Sequence, residues 1–139
     1  MIDATPLLQA YAALRRRRLA RLDPVGRQRR LLLRLIERAR TTRFGTDHRF
    51  DMITSVEAFQ AQVRIRRYED RWQRYWQPVF PRLENCTGPG TIPYFAVTSG
   101  TTTGVTKYIP CSMAILAANR RAALDLFAFH LQHRPDSRI

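Results

Sequence analysis

The sequence predicts an α/β chain that is helix-rich towards its N-terminus and carries a strand–loop–strand unit further on. Three observations carry that expectation. Two Leu- and Arg-rich stretches each open on a polar residue followed by proline, Thr5-Pro6 and Asp23-Pro24, a favoured way to start a helix. The apolar segment Ile92 to Val97 runs into an unbroken series of Ser, Thr and Gly from Thr98 to Gly104, and Lys107-Tyr108-Ile109-Pro110 follows as a second β-type segment. Ser112 then precedes a long apolar-polar stretch that ends near Pro135.

With 139 residues, 45% of them hydrophobic and 10% aromatic, the chain can build one modest packed domain and is not of disordered composition. The formal charge of +13 comes almost wholly from arginine, Lys107 being the sole lysine. No apolar run approaches the roughly 20 residues needed to cross a bilayer. The Met-Ile-Asp start lacks the order of a signal peptide. A cytoplasmic protein with no membrane partner is therefore expected. Cys86 and Cys111 show no CxxC spacing, so they make neither a disulfide framework nor a zinc site.

The first helix is expected from Thr5 to about Leu22, with Leu7, Leu8, Tyr11, Leu14 and the stem of Arg18 as its apolar stripe. The second should run from Pro24 to Arg40, with Gln28, Leu32, Leu35, Ile36 and Ala39 on one face. Residues 5–40 thus read as an amphipathic, antiparallel pair. On the other face Arg27, Arg30, Arg34 and Arg38 recur every three or four residues. Such a face can meet a polyanion, yet no aromatic residues interleave with it, and the favoured reading is a solvated surface or one that meets acidic surface of a larger protein. No sequence-specific nucleic-acid role is expected.

Thr42-Arg43-Phe44-Gly45 reads as the close of the second helix, with glycine just past the last turn. His48 has no metal-ligand partner at a suitable spacing and reads as a packing or surface histidine. Thr54-Ser55-Val56-Glu57 is a capping box for a short helix reaching Gln62, and residues 63–66 could be extended. Tyr68-Glu69-Asp70 should start an aromatic helix containing Trp72, Tyr75 and Trp76, stopped by Pro78. Glu69 and Asp70 are weighed as a general acid or metal pair, but their place in a first helical turn makes them partners of the helix dipole. Residues 81–93 form a turn-rich connector.

Chemistry concentrates in residues 91–110. Gly100 and Gly104 allow close backbone approach to a ligand. Thr98, Ser99, Thr101, Thr102 and Thr103 supply hydroxyl donors, and Lys107 adds a mobile positive charge. A phosphate cradle between two strands needs these residue types. The spacing is not that of the Walker A loop, in which glycine directly precedes the lysine and a helix follows. A plain Ser/Thr-rich turn is the bland alternative. Residues 112–134 form the last helix, with Leu116, Ala117, Leu124, Phe127 and Leu131 as its stripe, and His130 and His133 as helix-end cations.

The stretch TSGTTTGVTKYIP resembles the signature loop of adenylate-forming enzymes, and most closely that of the acyl-acid amido synthetases known as the auxin-responsive promoter family, in its bacterial branch. Phe44-Gly45, Arg67-Tyr68-Glu69-Asp70 and Trp76-Gln77-Pro78 resemble the region that family places before the loop. Ser112-Met113-Ala114 departs from the Pro- and acid-containing helix start of the family. The resemblance implies that residues 1–139 form the N-terminal part of an adenylate-forming domain, an incomplete fold whose remaining motifs bind adenine, ribose and substrate. It implies ATP, held through Thr98, Ser99, Gly100, Thr101, Thr102, Thr103, Gly104 and Lys107, with Mg²⁺ carried on its phosphates and no protein metal ligand among these residues. It implies a carboxylic acid, activated as its adenylate and then joined to an amino acid. The chain alone is expected to be an inactive fragment of such a ligase. A small Arg-rich nucleic-acid-binding module and an inert remnant are the alternatives.

Overall fold

A computed structural model describes residues 4–98 and 106–137. In chain order these residues form α1 (Thr5–Ala20), α2 (Pro24–Ala39), α3 (Arg43–Asp47), a 3₁₀ turn (Phe50–Met52), α4 (Val56–Gln62) and α5 (Tyr68–Arg71). A π-helical turn (Trp72–Trp76) and a 3₁₀ turn (Gln77–Val79) continue from α5. Then come β1 (Leu83–Glu84), β2 (Thr91–Ile92), β3 (Tyr94–Thr98), β4 (Lys107–Cys111) and α6 (Met113–His133). The chain is a helix-rich α/β mix with two separate two-stranded sheets among the described residues. It divides into two units, residues 1–24 with 114–139, and residues 25–113.

In the first unit α1 buries its contact face against α6. The buried residues are Ala12, Ala128 and Leu131, with Leu8 packed beside them. Arg15 forks onto Asp125 through Nε at 2.5 Å and Nη2 at 2.8 Å, and the Gln9 amide donates to the Pro135 carbonyl at 3.0 Å. The stripe expected on α1 is largely exposed, Leu7 at 75% and Leu14 at 68%. On α6, Leu124 and Phe127 are likewise exposed. The buried line runs through alanines because small side chains let two helix backbones approach closely. Ala4, not Thr5, occupies the cap position of α1, and Thr5 is its first helical residue. The two helices of residues 5–40 fall in different units.

In the second unit, α2 contributes Ile36 and Ala39 to a core with Phe50 and Ile53, supported by Leu32 and Leu33. Leu35 stays about half exposed, which narrows the expected stripe. Gly45 does not end α2 but lies buried inside α3, against the end of α2. Thr42, fully buried, joins the two helices: its Oγ1 donates to the Ala39 carbonyl at 2.7 Å and accepts from the Gly45 N–H at 3.1 Å. The next amides at the start of α3 find partners in the β1–β2 connection. Arg43 N–H donates to Asn85 O and Phe44 N–H to Cys86 O, both at 2.9 Å. Orphan donors of a helix start are thus satisfied by a neighbouring turn.

Phe44 touches both cores of this unit. The second core holds Tyr75, Trp76, Leu83, Cys86 and Ile92. His48 is a packing residue, stacked on Phe44 with ring centroids 4.1 Å apart and its Nδ1 2.8 Å from the Phe44 carbonyl. Ser55, rather than Thr54, caps α4, accepting from Ala58 N–H at 3.1 Å. The aromatic helix does not run unbroken to Pro78 but widens into the π turn after Arg71. The connector over residues 81–93 holds an antiparallel ladder, Leu83 opposite Ile92 and Glu84 opposite Thr91. Its turn takes left-handed backbone at Asn85 (φ 46°) and Gly90 (φ 75°), and the Asn85 side chain accepts from Gly90 N–H at 2.7 Å.

Candidate functional site

β3 and β4 pair antiparallel, with Tyr94 opposite Cys111, Phe95 opposite Pro110, Ala96 opposite Ile109, Val97 opposite Tyr108 and Thr98 opposite Lys107. The last of these pairs stands at the mouth of the loop. Thr98 and Lys107 are therefore cross-strand neighbours. Ser99, Gly100, Thr101, Thr102, Thr103 and Gly104 lie outside the described residues. An apolar strand of this kind can take neighbours on both edges. Among the described residues the one partner of β3 is β4, and Val97 and Tyr94 are exposed.

The outer edge of β4 is closed by a side chain. The Tyr68 hydroxyl accepts from Tyr108 N–H at 2.9 Å and donates to Tyr108 O at 3.2 Å. In an antiparallel ladder the N–H and C=O of one residue point to the same side. Those of Tyr108 point away from β3, so Val97 and Tyr108 form a non-hydrogen-bonded pair and Thr98 and Lys107 a hydrogen-bonded one. Phe95 and Pro110 then form another non-hydrogen-bonded pair. Proline, which has no N–H, removes no bond from the ladder there.

α5 brings a second group to this edge. Lys107 Nζ lies 3.0 Å from Glu69 Oε1 and 5.0 Å from the centre of the Tyr68 ring. The ammonium-bearing chain is 28% exposed and the carboxylate 56%. The backbone hydrogen bond at Glu69, and then the hydrogen bond from Lys107, hold the Glu69 carboxyl below its ordinary range. Asp70 accepts from Arg67 N–H at 3.3 Å across the first turn of α5. Both carboxylates serve the first turn of α5, and Glu69 in addition meets Lys107. Behind them Trp72 stacks on Tyr108 at 5.8 Å, while Phe80 meets Tyr108 at 5.3 Å and Phe95 at 5.2 Å. This aromatic layer fixes α5 and its π turn against the hairpin.

Sequence reasoning placed Thr98 and Lys107 at the loop but gave Tyr68 and Glu69 no part in it. The signal available was the pairing of one lysine with a carboxylate beside an aromatic residue, at a separation that hides the contact. Arg27, Arg30, Arg34 and Arg38 are all exposed along α2. His130 Nε2 lies 3.2 Å from Ser137 Oγ. Among the described residues no three His, Cys, Asp or Glu side chains converge as metal ligands, and no helix is long and apolar enough to cross a membrane. An open depression lined by Arg40, Thr41, Thr46, Arg49 and Asp51 holds none of the loop residues.

Compared with protein-family models, residues 14–137 match the GH3 family N-terminal domain. No curated protein and no solved structure matches the chain.

Proposed function

We infer what this chain does from one premise: it belongs to the GH3 family, the auxin-responsive family of acyl-acid amido synthetases, whose N-terminal domain covers residues 14–137. The reading is that residues 98–107 cradle the triphosphate of ATP in an acyl-acid amido synthetase-like protein. The observation that supports it is the pairing of Thr98 with Lys107, which sets a hydroxyl-bearing and an ammonium-bearing residue on the two strands that flank residues 99–106.

In the proposed reaction the substrate carboxylate attacks the α-phosphorus of ATP, the bond to the bridging oxygen breaks, and pyrophosphate leaves. The amine of an amino acid then attacks the acyl carbon, releasing AMP and forming the amide. These steps need positioning and charge neutralisation more than a protein nucleophile. Loop hydroxyls and N–H groups hold the β- and γ-phosphates, and Lys107 offsets the charge that grows on pyrophosphate. Mg²⁺, commonly held by substrate phosphates with few protein ligands, would supply further charge neutralisation there.

Calorimetric titration of the chain with Mg·ATP tests this reading. A charge-assisted contact is worth roughly 1.5–3 kcal/mol, so Lys107→Ala should weaken binding by about 10- to 150-fold. Binding unchanged within a factor of two would remove Lys107 from the cradle.

A further inference from the structure

We propose that Tyr68 is the positioning residue for the Lys107 ammonium, and that Glu69 is a place-holding anion which a polyphosphate displaces. The proposal rests on the phosphate-cradle reading of residues 98–107.

Two consecutive residues meet the Lys107 ammonium, and one of them also holds the strand beside it. The Tyr68 hydroxyl satisfies both polar backbone groups of Tyr108, the residue after Lys107, and so pins the strand from which the lysine projects. The Tyr68 ring lies 5.0 Å from the ammonium, a cation–π distance that leaves most ammonium protons available to other acceptors. Glu69 takes one of those protons at 3.0 Å. Tyr68 and Glu69 thus act at different points, on the stem and on the charge.

The exposures separate the permanent contact from the exchangeable one. The Glu69 side chain is 56% exposed and Lys107 only 28%. An exposed ion pair adds little net stability because water already solvates the carboxylate. A triphosphate brings several charged oxygens and outcompetes a single glutamate, which can return to solvent. Tyr68 loses nothing in that exchange, since its hydroxyl is engaged with the backbone. Without a ligand, Glu69 holds the anion's place and lowers the local positive charge of a chain that carries a net +13.

The test is a set of Mg·ATP titrations on the full chain with Tyr68→Phe, Glu69→Gln and Lys107→Ala, singly and with each of the first two combined with the third. Tyr68→Phe keeps the ring and drops the clamp, and should weaken binding about three- to tenfold. Glu69→Gln removes the competing anion, and should tighten binding about two- to fivefold, the range of an exposed ion pair. In the Lys107→Ala background both effects should shrink to within a factor of two, because each acts through the lysine. Effects of undiminished size there, or weaker binding by Glu69→Gln, overturn the proposal. If Lys107→Ala itself changes nothing, the phosphate-cradle reading falls instead. A ligand-free measurement keeps the two apart: the ε-protons of the sole lysine should show nuclear Overhauser contacts to the Tyr68 ring. Their absence in the unaltered chain overturns the positioning role whatever ATP does.

Discussion

Gly45 lies so close to Ala39 that a methyl group has no room. An ideal Cβ on Gly45 would overlap the Ala39 carbonyl oxygen and stand 2.9 Å from the carbonyl carbon and 3.0 Å from that of Arg40. All three are backbone atoms, which cannot swing aside as a flexible side chain can. The end of α2 and the turn of α3 are held in contact by the absence of a side chain. Gly45→Ala should therefore destabilise the chain by about 3 kcal/mol, read as a lowered denaturant midpoint. A loss below about 0.5 kcal/mol, the level of an ordinary surface change, would show that the α2–α3 junction relaxes freely.

Thr42 serves the same junction through its hydroxyl. Thr42→Val keeps the shape but leaves the buried Gly45 N–H without the acceptor it has at 3.1 Å. The cost should be about 1–2 kcal/mol. Thr42→Ser should recover most of it, because a serine hydroxyl can make both bonds. Equal stability of the valine and serine variants in chemical denaturation would sink this account.

The two cysteines should react at different rates. Cys86 is buried, its thiol donates to the Tyr75 carbonyl at 2.9 Å, and burial pushes its pKa up. Cys111 is partly exposed. A thiol-specific disulfide reagent should label Cys111 first and reach Cys86 only as the second unit opens. Prompt labelling of both thiols in native buffer, or of Cys86 ahead of Cys111, contradicts the burial described.

Acid should weaken the first unit through Asp125. The hydrogen bonds from Arg15 hold the Asp125 carboxyl below its ordinary value, against a smaller effect of burial. A carboxyl with a depressed folded-state pKa contributes stability that is complete above the unfolded value of about 3.9 and is lost as pH falls through the lower folded value. Asp125→Asn should cost about 1 kcal/mol at pH 7. It should also remove part of the stability loss seen below about pH 4. An acid-unfolding curve of the asparagine variant parallel to that of the unaltered chain would exclude the Arg15–Asp125 pair as a contributor.

The N-terminal boundary of α2 was legible because its signal is local. Asp followed by Pro favours a helix start through local chemistry alone, and α2 begins at Pro24 as Asp23-Pro24 implies. β3 and β4 follow from the apolar segments on either side of Thr98 to Gly104, and α6 starts directly after Ser112. The family resemblance rested on short motifs in a continuous stretch, and the family match over residues 14–137 agrees with it. His48, which reads as a packing or surface histidine, is buried and stacks on Phe44.

What lay beyond the sequence were the pairings between distant residues. Leucines on α1 suggested a leucine seam, yet the buried face is decided by which helix lies opposite, and α6 presents alanine at Ala128. The same holds for Gly45, whose helix-end reading is sound locally. Only the approach of the Ala39 backbone reveals that the glycine clears space instead. Glu69 shows the limit most plainly. Sequence alone determined that a carboxylate stands in the first turn of α5 and that one lysine follows the Ser/Thr/Gly run. Tertiary structure alone decided that they meet, because a contact across 38 positions arises when the hydroxyl of Tyr68 docks α5 on the outer edge of β4.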